Sequence, residues 1–218
     1  DELRPDADEA RARESEPSVF LLMPGSRRSE IERLMPPFGQ VLHQVAQRGR
    51  RMEVILPAVP HLEKDIREEL RSWPYKPEVV VGDPPKLAAF HRARVALVAS
   101  GTATLELALA GVPMAVAYRV SRVEGLLKYV VDVPSIVLAN LVLGENVVPE
   151  FLQDACNPQA LTQALGPLFT GGVERDAQLS AFARIDALLK PASGERPSDA
   201  AARNVLDVAR AGRGATRD

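Results

Sequence analysis

A single cysteine in 218 residues excludes two architectures at once. Cys156 has no partner for an internal disulfide and no neighbouring ligands at metal-site spacing, so neither a disulfide scaffold nor a cysteine-rich zinc site holds this fold. Charge of one sign is also lacking. Lys plus Arg number 27 against 29 Asp plus Glu, a formal net of -2, which argues against a strongly basic nucleic-acid binder. No apolar run reaches the roughly 18 residues of a membrane-spanning helix. The N-terminus is acidic and shows no basic-then-apolar signal segment, so a cytoplasmic protein is expected. The chain begins without Met, which suggests a fragment or a processed product.

Several catalytic signatures are missing too. There is no GxxxxGK[ST] phosphate loop, no GxGxxG fingerprint and no GxSxG elbow. His43, His61 and His91 stand apart without HExxH or other ligand spacing. Asp6-Ala7-Asp8 is a D-x-D pair of the kind that can hold a metal on a diphosphate, but it lies in an acidic lead-in and reads as chance. The residues therefore imply no metal and no cofactor.

What is present is an ordinary globular composition, 46% hydrophobic and 26% charged, enough for a sizeable core. Residues 1–17 are polar and without apolar period, a linker or solvated lead-in. From Val19 short apolar runs alternate with helical patterns. Strands are expected at Val19–Met23, Glu53–Leu56, Glu78–Val81, Val95–Ala99 and Met114–Ala117. Helices are expected at Ser29–Gln47, His61–Trp73, Pro85–Ala93 and Thr102–Ala110. Pro36-Pro37 should kink or split the first of these. Further on, Val123–Val131 reads as a helix, Ile136–Ala139 as a last short strand, and Pro149–Ala155, Pro158–Phe169, Arg175–Leu189 and Ser198–Arg210 as helices. This alternation defines an α/β fold: a Rossmann-like, doubly wound parallel sheet over residues 18–157, a helical C-terminal annex over 158–211, and a frayed tail over 212–218.

In such sheets ligands bind at the carboxyl ends of the strands, so the residues just after each strand carry the information. Two junctions stand out. After Met23 comes Pro24-Gly25-Ser26-Arg27-Arg28. Gly25 permits close backbone approach, Ser26 can cap a helix or donate to a phosphate oxygen, free N–H groups at the helix start favour anions, and Arg27 offers a forked cation for a diphosphate. An ordinary strand-to-helix turn with two solvated arginines fits equally well. After Ala99 comes Ser100-Gly101-Thr102-Ala103-Thr104-Leu105-Glu106. Small residues let amides face a ligand, Ser100 or Thr102 can cap the helix, and Glu106, one turn beyond Thr102, can accept two hydrogen bonds from a ribose diol. Plain capping explains these residues too. A third cluster holds Asn140, in an apolar setting where it needs partners, and Glu150 and Gln153, spaced to share a helix face. Their structural readings are a satisfied turn residue and a first-turn pair on a solvated helix.

Together these segments resemble a known family. Leu22-Met23-Pro24-Gly25-Ser26-Arg27 with Glu30-Ile31, Ser100-Gly101-Thr102-Ala103-Thr104-Leu105-Glu106 with Pro113-Met114 and Tyr118-Arg119, and Leu138-Ala139-Asn140-Leu141 with Val148-Pro149-Glu150-Phe151-Leu152-Gln153 are similar, in order, to three segments of the bacterial lipid-A-disaccharide synthases. Ala139 departs from the Pro that the family often carries there. The resemblance implies the C-terminal, UDP-donor-binding half of a two-domain GT-B glycosyltransferase, which inverts at the anomeric carbon without a metal. The implied reaction moves 2,3-diacylglucosamine from UDP to 2,3-diacylglucosamine 1-phosphate (lipid X), in lipid A biosynthesis. It assigns UDP to Gly25, Ser26, Arg27, Ser100, Gly101, Thr102 and Glu106. It assigns the donor sugar to Asn140, Glu150 and Gln153, and catalysis to Arg27, Asn140 and Gln153.

The implied partners are the N-terminal acceptor domain of the same enzyme, the inner-membrane surface of a Gram-negative cell, and a second copy through exchange of the C-terminal helices. No nucleic acid is implied. This half alone should be inactive. Arg119, Arg122 and Lys128 beside Val123, Leu126, Leu127 and Val130 form a candidate patch for anionic lipid, or equally an ordinary core-facing helix. Two other readings stay open: a stand-alone UDP-sugar-binding module that recruits a separate acceptor subunit, and a UDP-N-acetylglucosamine 2-epimerase-like protein.

Overall fold

A computed structural model describes residues 2–120, 134–190 and 194–214. Six strands run parallel in one sheet: β1 (Ser18–Met23), β2 (Met52–Ala58), β3 (Glu78–Val81), β4 (Ala93–Ala99), β5 (Met114–Tyr118) and β6 (Glu150–Leu152), in the order β3-β2-β1-β4-β5-β6. Parallel strands need crossovers, and helices supply them: α2 (Arg28–Gln47) after β1, α3 (Glu63–Glu69) after β2, α4 (Asp83–Arg92) after β3 and α5 (Ala103–Leu109) after β4.

The central strands are apolar on both faces because helices cover both. Phe20 and Leu22 face one core with Val95 and Leu97 of β4; Val19 and Leu21 face the other with Ala96 and Val98. The first core is filled by α2 through Ile31, Leu34, Met35, Phe38, Val41, Leu42 and Val45, one apolar stripe at helical period. The second is filled from α4 and α5 by Phe90, Leu107 and Ala108.

Pro36-Pro37 does not split the helix: α2 runs as one element over 20 residues. Pro37 is buried between Met35 and Phe38, so packing against the sheet offsets the two lost N–H donors. Two other expectations are corrected. The segment expected as a strand at Ile136–Ala139 leads into a helix, α6 (Leu138–Leu143), closed by Gly144 in the left-handed region. The helix expected at Pro149–Ala155 is instead the edge strand β6, with Val116 opposite Glu150 and Tyr118 opposite Leu152, followed by one 3-10 turn. Both runs are too short to reveal a period, and the free edge of β5 decided between them.

The C-terminal helices are α7 (Pro158–Thr170), α8 (Val173–Leu189) and α9 (Pro197–Gly214). Leu161, Leu165, Leu168 and Phe169 of α7 enter the first core, where Phe169 meets Phe20 edge-on at 5.1 Å between ring centroids. Phe182 and Ile185 of α8 enter the second. Gln178 pairs both polar groups of the Met114 backbone, accepting from its N–H at 2.8 Å and donating to its C=O at 3.0 Å. Helix α9 leaves Val205, Leu206 and Val208 exposed and passes the expected start of the tail at Gly212.

The lead-in also departs from expectation. Residues Ala7–Ala12 form a short helix, α1, in which Asp6 accepts from the N–H groups of Asp8 and Glu9, and Glu9 accepts from that of Asp6. Asp6-Ala7-Asp8 is therefore a helix cap. Beyond it Arg13 is 7% exposed at the amino edge of the sheet. It donates to the carbonyls of Phe90 and His91, both at 2.7 Å, at the end of α4, and to Ala110 at 2.8 Å and Gly111 at 3.2 Å after α5. These carbonyls lie at helix C-termini, where intrahelical donors run out, and a guanidinium reaches several at once. Burial draws the Arg13 pKa down to about 10, which still leaves it charged at neutral pH.

Buried Arg94 and Arg175 repeat the device. Arg94 is the extra residue of a bulge in β4, since Val19 and Phe20 sit opposite Ala93 and Val95. It donates to the Phe169 carbonyl at 2.7 Å, and Arg175 donates to the carbonyls of Arg94 at 2.8 Å and Leu168 at 3.0 Å. Both pair with Glu14. Burial alone would raise the Glu14 carboxyl, but hydrogen bonding from Arg94 and the charge of Arg175 hold it below its ordinary value.

Candidate functional site

The strand order reverses between β1 and β4, so their loops diverge and leave a crevice at the carboxyl edge. A cavity of about 540 Å³ lies there, within the range of small-ligand pockets. Four loops line it: Gly25, Ser26 and Arg27 after β1; Pro57–Pro60 at the end of β2; Gly82, Asp83 and Lys86 after β3; and Ser100, Gly101, Thr102 and Glu106 after β4. All seven residues assigned to UDP thus border one cavity.

The first loop is built differently from expectation. Gly25 has φ +120°, and a Cβ there would sit 2.3 Å from Glu30 Oε2. Glu30, 8% exposed, folds back under the loop. Its Oε2 accepts from the N–H groups of Ser26 at 2.8 Å and Arg27 at 3.1 Å, and its Oε1 accepts from Arg27 Nη1 at 2.7 Å. The amides expected to receive a ligand anion are therefore held by an internal carboxylate, which stiffens the loop. Ser26 does not cap α2; the capping position is Arg27. The Arg27 side chain is 77% exposed, and among the described residues its remaining donors have no protein partner. The sequence reading names Glu30 in the family resemblance but gives it no role, although a Glu three residues after the capping position is a recognisable capping-box signal.

In the second loop Thr102 is the capping residue of α5 and makes no side-chain cap bond. Ser100 Oγ donates to the Ile136 carbonyl at 2.7 Å, and Thr104 Oγ1 to that of Gly101 at 2.8 Å. The start of α5 keeps its positive dipole end on the cavity, with no side-chain oxygen capping it among the described residues. Glu106 lies one turn along the same face. Its Oε2 accepts from Lys86 Nζ at 3.1 Å. Lys86, in the first turn of α4, was not singled out in the sequence; its only sign is its place just after a strand.

Asn140, Glu150 and Gln153 do not line this cavity. Asn140 is 1% exposed and fully used: it donates to the Val148 carbonyl and to Glu150 Oε1, both at 3.0 Å, and accepts from the Val148 N–H at 3.0 Å. Glu150 also takes the Ser135 hydroxyl and the Ile136 N–H, the latter at 3.1 Å. Gln153, with φ +50°, accepts from the Val120 N–H at 3.0 Å. Glu150 and Gln153 share no helix face, because one lies on β6 and the other in the turn after it. This cluster meets the cavity indirectly, through Ile136 and Leu138 in its wall. Of the candidate lipid patch only Arg119 is described, donating to the Cys156 carbonyl; Arg122, Lys128 and the apolar residues between them lie outside the described residues.

Among the described residues no three His, Cys, Asp or Glu side chains are grouped to hold a metal ion, and no helix is long and apolar enough to cross a membrane. The chemistry on offer is recognition of an anionic, hydroxyl-bearing ligand by two cations, one helix start and one carboxylate.

A doubly wound sheet with its cavity at the point of reversal is the frame of a Rossmann-like domain. Solved structures of similar fold include MurG of Acinetobacter baumannii, at TM-score 0.52 and 15% identity over 92% of this chain and 52% of that one. Another is WaaG, a glycosyltransferase involved in lipopolysaccharide biosynthesis, at TM-score 0.51 and 17% identity over 84% and 48%. The class is thus one α/β half of a GT-B fold. Residues 1–203 match the family model for lipid-A-disaccharide synthetase (LpxB). The lipid-A-disaccharide synthase of Bradyrhizobium diazoefficiens is 48% identical over 212 residues, covering 97% of this chain and 54% of the relative. That of Gluconobacter oxydans is 39% identical over 191 residues, covering 87% and 46%. The chain belongs to the lipid-A-disaccharide synthase family. It spans about half the length of the curated relatives it matches. Membership supports the transferase expectation, not the epimerase one.

Proposed function

We propose that this chain is the donor-binding half of a lipid-A-disaccharide synthase. In this reading the whole enzyme moves 2,3-diacylglucosamine from UDP to lipid X with inversion and without a metal, giving the disaccharide 1-phosphate and UDP. The observation that carries it is the meeting of Arg27, the Ser100–Thr102 turn and Glu106 in one cavity, although they come from separate strands. The diphosphate lies between Arg27 and the start of α5, and the ribose diol on Glu106. As the bond to the sugar breaks, charge develops on the departing UDP, and Arg27 with the α5 amides stabilises it. Asn140, Glu150 and Gln153 serve the donor-sugar side as positioning groups, through the 135–138 segment that walls the cavity.

The acceptor site and the base belong to an N-terminal half, and the enzyme works in the cytoplasm, peripherally at the inner membrane where its acylated substrates reside. The exposed Val205, Leu206 and Val208 of α9 are suited to helix exchange with a second copy.

Calorimetric titration with UDP tests the reading. Micromolar binding that weakens in Arg27→Ala is expected. Absence of UDP binding by the chain in its full-length context overturns it.

A further inference from the structure

We infer that Lys86 is a positioning residue: it orients the Glu106 carboxylate and so sets a preference for a ribose over a deoxyribose. The inference rests on the nucleotide reading above and adds a residue that neither the motifs nor the resemblance marked. The two side chains come from different crossovers, α4 and α5, and meet at the cavity with Nζ 3.1 Å from Glu106 Oε2.

The ammonium is held from more than one side. Its Nζ lies over the ring of buried Phe90, 5.8 Å from the centroid. Asp83 lies 3.5 Å away, but its side chain is 94% exposed, so that contact is screened and weak. Glu106 is the half-buried partner. An ionised carboxylate has about four acceptor sites. Lys86 occupies one on Oε2, which fixes the plane of the group and turns the remaining sites to the cavity. A vicinal diol needs two acceptors at a set separation, and a carboxylate free to rotate presents them only part of the time. Lys86 also neutralises a negative charge that would otherwise face a diphosphate. The two roles separate experimentally: neutralisation acts on every diphosphate ligand alike, whereas orientation acts only on those with the diol.

The test compares UDP with 2′,3′-dideoxy-UDP by calorimetry, using the chain in its full-length context. The unaltered protein is expected to favour UDP by roughly tenfold or more, the usual scale of charge-assisted hydrogen bonds. Lys86→Met is expected to abolish most of that preference and Lys86→Arg to restore most of it, with unchanged unfolding midpoints. A Lys86→Met protein that weakens both ligands by the same factor, leaving the preference intact, reduces Lys86 to a charge and overturns the inference. Unchanged binding of both ligands overturns it as well. Each leaves the nucleotide reading standing, since the unaltered protein still binds UDP and prefers it. Failure of the unaltered protein to bind UDP overturns both.

Discussion

Arg13 and Arg27 sit at opposite edges of one sheet, and their surroundings differ in kind. At the amino edge Arg13 is buried and places its donors on four carbonyls, while Arg94 and Arg175 converge on Glu14 nearby. At the carboxyl edge Arg27 is exposed and holds one tie, to Glu30. The amino edge is saturated: three guanidiniums close the ends of α4, α5 and α7 and bind the lead-in to the domain. The carboxyl edge leaves donors unused, as the proposed UDP site requires. In that reading one sheet separates stability from recognition by where each arginine's hydrogen bonds go.

The comparison can be broken most sharply at Arg13. Arg13→Ala takes a donor from four buried or part-buried carbonyls, so a loss of about 4 kcal/mol in urea unfolding is expected, with UDP affinity unchanged in the fraction that folds. A loss below about 1 kcal/mol would show that the amino edge is not where stability resides.

Gly25→Ala comes next. It places a Cβ at φ +120° against Glu30, so a cost of about 3 kcal/mol is expected from backbone strain and displacement of the carboxylate. UDP binding should fall with it, because the loop that presents Arg27 is disturbed.

Arg27→Ala should sharpen the contrast from the other side. About 2 kcal/mol of UDP binding should be lost, on the scale of a charge-assisted hydrogen bond. The unfolding midpoint should stay close to that of the unaltered protein, since Arg27 is exposed and closes no buried carbonyl.

The smallest effect concerns pH. The Glu14 carboxyl titrates lower in the folded chain than in the unfolded one. Its contribution is therefore complete above the ordinary value of 4.5 and disappears as pH falls through and below it. Half-exposure of Glu14 screens the pair, so Glu14→Gln should cost about 1 kcal/mol at neutral pH and flatten the acid limb of stability against pH. An unchanged acid limb would place the acid sensitivity elsewhere.

Much of the fold was legible because the signals are local. The runs at Val19–Met23, Val95–Ala99 and Met114–Ala117 are strands, and Ile31, Leu34, Phe38, Leu42 and Val45 form the buried stripe of α2. The two junctions that carry the proposed UDP site were legible for the same reason: a strand end, small residues and a helix start are adjacent in the chain. Arg13 was not. A buried arginine in a polar lead-in looks like a solvated one until the carbonyls it closes, far along the chain, are placed around it.

Apolar period, turn residues and short motifs sufficed to define a parallel α/β sheet with its proposed ligand edge after β1 and β4, because each of these is written within a dozen or so residues. Packing alone decided that Glu150–Leu152 is an edge strand and that Lys86 holds Glu106. In each case the deciding partner lies on another element, and neither an unpaired strand edge nor the approach of two side chains from separate crossovers leaves a trace in local spacing.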